Sequence, residues 1–75
     1  MKIYFEVRGG LTAQVPPGTA DLEDGIDWTV AKLVEKLGLP RHEVGNVVIN
    51  GKMAGNKTQI NDGDKITFFP VIAGG

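Results

Sequence analysis

Asn61-Asp62-Gly63-Asp64-Lys65-Ile66-Thr67-Phe68-Phe69-Pro70-Val71-Ile72-Ala73-Gly74-Gly75 combines a turn, a strand and an arm in one stretch. Ile60 to Asp64 carries the Asp-Gly signal of a tight turn. Lys65 to Val71 reads as the final strand. Its parity sorts the side chains: with Ile66 and Phe68 facing a core, Thr67 and Phe69 face out. Phe69 is then an exposed aromatic of the kind that anchors partners, unless a bulge or the Pro70 bend tucks it back. Glycines have no side chain to pack, so Gly74-Gly75 is expected to form a narrow, flexible arm with a bare α-carboxylate, able to thread into another protein's active site. With 11 glycines in 75 residues, the terminal pair alone is a weak signal, and a frayed terminus is the bland alternative. The junction of the pair with a strongly apolar strand weighs against it.

Upstream of this stretch, Asn46-Val47-Val48-Ile49 runs as a strand into Asn50-Gly51, the strongest short hairpin signal, and Lys52-Met53-Ala54 returns as a short edge strand. Before it comes a helix. Thr29 suits the N-cap. Val30, Leu33, Val34 and Leu37 fall at i, i+3, i+4 and i+7, with Lys32, Glu35 and Lys36 on the other face. Gly38 suits the left-handed position after the last turn, Leu39 folds back on that turn, and Pro40 stops propagation. Trp28 covers the helix start. At the N-terminus, Ile3, Phe5 and Val7 alternate with Lys2, Tyr4, Glu6 and Arg8, a half-buried strand. Gly9-Gly10, followed by alternating Leu11, Ala13 and Val15, predicts a hairpin with a second strand. Pro16 to Asp27 then reads as an acidic loop carrying Asp21, Glu23, Asp24 and Asp27. Those carboxylates lack the calcium-loop spacing, so a solvated loop is the expectation.

The element order predicts an α+β fold: a small mixed sheet, one helix across one face, and the last strand parallel to the first. Ile3, Phe5, Val7, Val48 or its neighbours, Ile66 and Phe68 would meet the helix stripe. Residues 1–75 make a single domain, with 72–75 as its flexible tail. A chain of this length buries about 60% of its unfolded surface, so the core is small.

Composition removes several function classes. There is no cysteine and only one histidine, His42, so neither a disulfide framework nor a zinc cluster is expected. The net charge is −1 with no basic stripe, so no nucleic-acid partner is expected. No apolar run approaches membrane length and no signal segment precedes the first strand, which reads as a soluble cytoplasmic protein. No Ser-His-Asp constellation or phosphate-cradling glycine loop is present, which argues against an enzyme.

In element order the chain resembles the β-grasp fold of ubiquitin-like proteins. Its C-terminal third, from Asn61 through the Asp62-Gly63-Asp64 turn to Gly75, resembles the small sulfur carriers ThiS and MoaD, as does Val48-Ile49-Asn50-Gly51-Lys52. Phe68-Phe69-Pro70 is closer to MoaD, the small subunit of molybdopterin synthase. Val71-Ile72-Ala73 departs from the usual MoaD segment, and the start of the chain lacks the typical Arg-Glu-Leu after the first strand.

The resemblance implies a carrier. The Gly75 carboxylate would be adenylated by an E1-like enzyme of the MoeB or ThiF type and converted to a thiocarboxylate. That group would deliver sulfur to a recipient such as the large subunit of molybdopterin synthase. Gly74 and Gly75 would pass a narrow channel, Val71, Ile72 and Ala73 would guide the arm, and Phe69 and Pro70 would dock the body. This chain would hold no cofactor, and ATP would sit in the partner. Thiamin thiazole synthesis, tRNA thiolation, a ubiquitin-like modifier and a plain interaction module are the alternatives.

Overall fold

The computed structural model describes residues 1–13 and 16–72. Five strands and one α-helix are laid down in the order β1 (Lys2–Val7), β2 (Gly18–Asp21), α1 (Val30–Leu37), β3 (Val44–Ile49), β4 (Lys52–Ala54) and β5 (Lys65–Pro70), with 3₁₀ turns at Gly9–Ala13 and Arg41–Glu43. The strands form one sheet in the order β2-β1-β5-β3-β4. β5 runs parallel to β1 and antiparallel to β3, as the long crossover through α1 requires. This is the expected α+β, β-grasp architecture.

β5 lies at the centre, hydrogen-bonded on both edges, so its inward side chains have nowhere to meet water. Ile66 and Phe68 are completely buried. They join Ile3, Phe5 and Val7 of β1, Val47 and Ile49 of β3, and Val30, Leu33 and Val34 of α1 in a single core. In β3 the core residues are therefore the neighbours of Val48.

The helix ends follow their local signals. Thr29 Oγ1 accepts from Lys32 N at 3.3 Å. At the other end Gly38 N donates to Glu35 O, and Leu39 N reaches back to Val34 O at 3.1 Å. That second bond brings Leu39 into the core, the hydrophobic closure of a Schellman motif. Trp28 is buried at the helix start, and its indole N–H donates to Glu23 O at 2.9 Å.

The N-terminal hairpin is where the structure departs from the sequence reading. Gly9-Gly10 does not turn β1 back on itself, and Leu11 does not enter a strand. Gly9–Ala13 winds as a 3₁₀ turn that drops Leu11 into the core, 2% exposed. Val15 lies outside the described residues. The strand that pairs with β1 is Gly18–Asp21, with Lys2 opposite Asp21 and Phe5 opposite Gly18, inside the stretch expected to be only an acidic loop. The physical reason is competition for Leu11. A two-residue hairpin would leave it on an edge strand, whereas the 3₁₀ turn buries a full leucine side chain, worth roughly 1.5–3 kcal/mol.

Two turns at the start of β5 are joined by side chains. Asn50 and Gly51, with φ of 52° and 83°, make the tight β3–β4 turn with positive φ at both central residues. Asn50 Nδ2 donates to Asp64 Oδ1 at 2.8 Å, Asn50 Oδ1 accepts from Lys65 N at 3.0 Å, and Asp64 Oδ2 accepts from Asn61 N at 2.8 Å. Asp64 is the one buried charged residue among the described residues. Its burial is tolerated because both oxygens accept hydrogen bonds.

Candidate functional site: the root of the C-terminal arm

β5 delivers Phe69 and Pro70 to the far end of the sheet, where the chain leaves the body. The last ladder contacts are Arg8 N to Phe68 O and Val71 N to Glu43 O, both 3.0 Å. Beyond them exposure rises from half-buried Pro70 through Val71 at 52% to Ile72 at 83%. Phe69 is 36% exposed, on the face opposite Phe68 as its parity requires, and is not tucked back. The bulge at this end lies in β3: Val44 pairs with Pro70 and Val47 with Phe68, so Gly45 and Asn46 together face Phe69.

The same outer face carries an apolar row. Met53 of β4 pairs with Val48 of β3, and Val48 with Thr67 of β5. Phe69 lies two residues further along β5. Met53 is 68% exposed. An open hollow of about 620 Å³ adjoins this row at the arm root, lined by Phe69, Val71 and Ile72 and, from the two neighbouring strands, by Arg8 and Asn46. The site thus offers an exposed apolar surface beside the point where the chain leaves the sheet.

A second hollow, about 570 Å³, opens between α1 and β3–β4, with Arg41 and His42 at its rim. His42 also lines a smaller hollow of about 290 Å³ beside the arm root, with Glu43, Pro70 and Val71. Among the described residues no group of three or more metal-ligating side chains comes together, and no helix is long and apolar enough to cross a membrane.

The structure therefore brings Phe69, Pro70, Val71 and Ile72 together at one end of the body. Ala73, Gly74 and Gly75 lie outside the described residues. The sequence reading missed Gly45 and Glu43, which hold the arm root. A signal for Gly45 exists, because a glycine inside an apolar strand pattern marks a bulge or a close backbone approach, but the strand pattern read from the sequence begins only at Asn46, whereas β3 begins at Val44.

The family model described as "ThiS family" matches residues 11–75. The chain belongs to the ThiS family. These are the ubiquitin-like sulfur carriers that its C-terminal third resembles, proteins that work with E1-like activating enzymes and sulfur-accepting enzymes. The matched span includes β5 and the arm but leaves out β1, which the structure supplies as the parallel neighbour of β5. The crystal structure of SAMP1 from Haloferax volcanii is similar over 100% of both chains, with 22% identity and a TM-score of 0.67; at that identity the likeness speaks for the fold alone. No curated protein matches the sequence.

Proposed function

We propose that this ThiS-family protein carries sulfur on the carboxylate of Gly75. A carboxylate is a poor electrophile. In the activating enzyme its oxygen would attack the α-phosphorus of ATP, releasing pyrophosphate and forming an acyl-adenylate. A sulfur nucleophile at the sulfide level would then attack the acyl carbon, and AMP would leave with the C–O electron pair. The resulting thiocarboxylate donates its sulfur to a recipient. Gly74 and Gly75 pass the channel, Val71, Ile72 and Ala73 guide the arm, and Phe69 with Pro70 docks the body. ATP belongs to the partner, and this chain holds no cofactor.

The observation that carries this reading is the family match running through β5 to Gly75, together with an exposed apolar root from Phe69 to Ile72. Phe68-Phe69-Pro70 favours the molybdopterin pathway, with this chain as the small, non-catalytic partner of a molybdopterin synthase. The ThiS family match favours thiamin thiazole synthesis as a second recipient. Complementation of hosts lacking each carrier separates the two.

The test of the carrier chemistry is the intact mass of the protein from its native host, before and after thiol alkylation. The expected result is one oxygen replaced by sulfur at Gly75, in an alkylatable form. A terminus that stays unmodified under sulfur-replete conditions, with hydrolysis suppressed, would overturn the proposal. Gly75 joined to a target lysine would point to a protein modifier instead.

A further inference from the structure

Pro70 lies between two glycines, Gly9 just after the end of β1 and Gly45 near the start of β3. A methyl group placed on Gly9, which follows β1, would sit 2.8 Å from Pro70 Cγ. One placed on Gly45, in β3, would sit 2.8 Å from the Pro70 carbonyl oxygen, 3.0 Å from its carbonyl carbon and 3.1 Å from Val71 N. These are repulsive distances, so both positions admit the arm root only because they lack Cβ. Gly9 also has φ +59°, which lets the chain leave β1 at the level of the proline ring. Gly45 owes its position to the bulge, where two residues of β3 face Phe69 alone. Bulges bend a strand and re-aim what lies beside it, and here the neighbour is the last turn of backbone before the arm. The hydrogen bond from Val71 N to Glu43 O, 3.0 Å, closes the arrangement.

We propose that Gly9, Gly45 and Pro70 form a socket that sets the direction in which the C-terminal arm leaves the body, so that the two glycines are positioning residues for delivery of Gly75 to the activating enzyme. Its functional half rests on the carrier reading; its structural half rests on the geometry alone. Acyl transfer needs reacting atoms about 3–3.5 Å apart, and small misplacements are costly.

The chain has no cysteine, so spin labels can be placed at will. In a Met53→Cys, Ile72→Cys background, pulsed electron resonance reads the distance from the body to the arm. One narrow distance population is expected. Gly45→Ala should shift it by several ångströms, and Pro70→Ala, which empties the socket, should broaden it. Gly9→Ala should also shift it, and adding Pro70→Ala should relieve that shift, because the clash is with Cγ. On unlabelled variants, ATP-dependent adenylation by the activating enzyme should lose about tenfold in kcat for Gly45→Ala, with KM changed by less than about twofold, since docking through Phe69 is untouched.

A distance distribution that Gly45→Ala and Pro70→Ala leave unchanged overturns the socket. A shifted distance with kcat intact, or an effect confined to KM, overturns the positioning role. Should Gly45→Ala fail to fold, Gly9→Ala decides by the same two readouts. If the parent protein is not adenylated at all, the carrier reading fails, and the distances still judge the socket.

Discussion

β5 begins and ends in opposite ways. At its start, Asn50, Asn61 and Asp64 knit two turns together with side-chain hydrogen bonds of 2.8–3.0 Å, and Asp64 is 8% exposed. At its end, Pro70 meets Gly9 and Gly45 with no side chain between them, and Phe69, Val71 and Ile72 stand out into solvent. The first end is polar, buried and satisfied; the second is apolar, open and held by backbone. The contrast teaches that one strand can divide its labour. Its start ties two turns together through side chains, and its end leaves Phe69, Val71 and Ile72 exposed at the root of the arm.

Deleting Gly75 gives the largest expected effect. Sulfur loading should be abolished, as read by intact mass after alkylation, while the melting temperature stays within about 1 °C because a glycine has no side chain to contribute to a core. Retained loading would break the comparison at its functional end. Next is Asp64→Ala, which leaves the Asn50 amide and the Asn61 N–H without their acceptor. It should cost about 2–3 kcal/mol in denaturant unfolding with adenylation kinetics of the folded protein unchanged. A loss in transfer without a loss in stability would show that the two ends are not separate.

Phe69→Ala should do the reverse: a rise of about tenfold in KM for the activating enzyme, near 1.4 kcal/mol, with folding stability altered by less than about 0.5–1 kcal/mol. The smallest effect sharpens the polar end. Asn50→Gly keeps the positive φ but loses the two side-chain bonds, and should cost about 1 kcal/mol. Combined with Asp64→Ala it should cost less than the two separate losses together, by roughly 0.5–1 kcal/mol, because both changes break the same contact.

Much of this was readable in the chain. Helix α1 and both its caps follow from Thr29, the Val30-Leu33-Val34 stripe and Gly38, since the interactions that decide them lie within a few residues. The Asn50-Gly51 turn and the edge strand Lys52–Ala54 were equally local. So was the outward parity of Phe69. The N-terminal hairpin misled because Leu11, Ala13 and Val15 alternate like a strand, while the true partner of β1, Gly-Thr-Ala-Asp at 18–21, has neither alternation nor β-branched density to announce it. It is a strand because β1 offers it a free edge.

By itself the sequence determined the Asn50-Gly51 and Asp62-Gly63 turns, the helix with its caps, and the family to which the arm belongs, all carried by residues adjacent in the chain or by a contiguous motif. Only the tertiary structure decided which segment completes the sheet at β1, that Asn50 and Asp64 meet, and that Gly9 and Gly45 close on Pro70 from either side. Those outcomes depend on residues brought into contact across separations of 14 to 61 positions in the chain. Local propensity is blind to them, because whether a missing Cβ matters depends on what the fold places where that Cβ would have been.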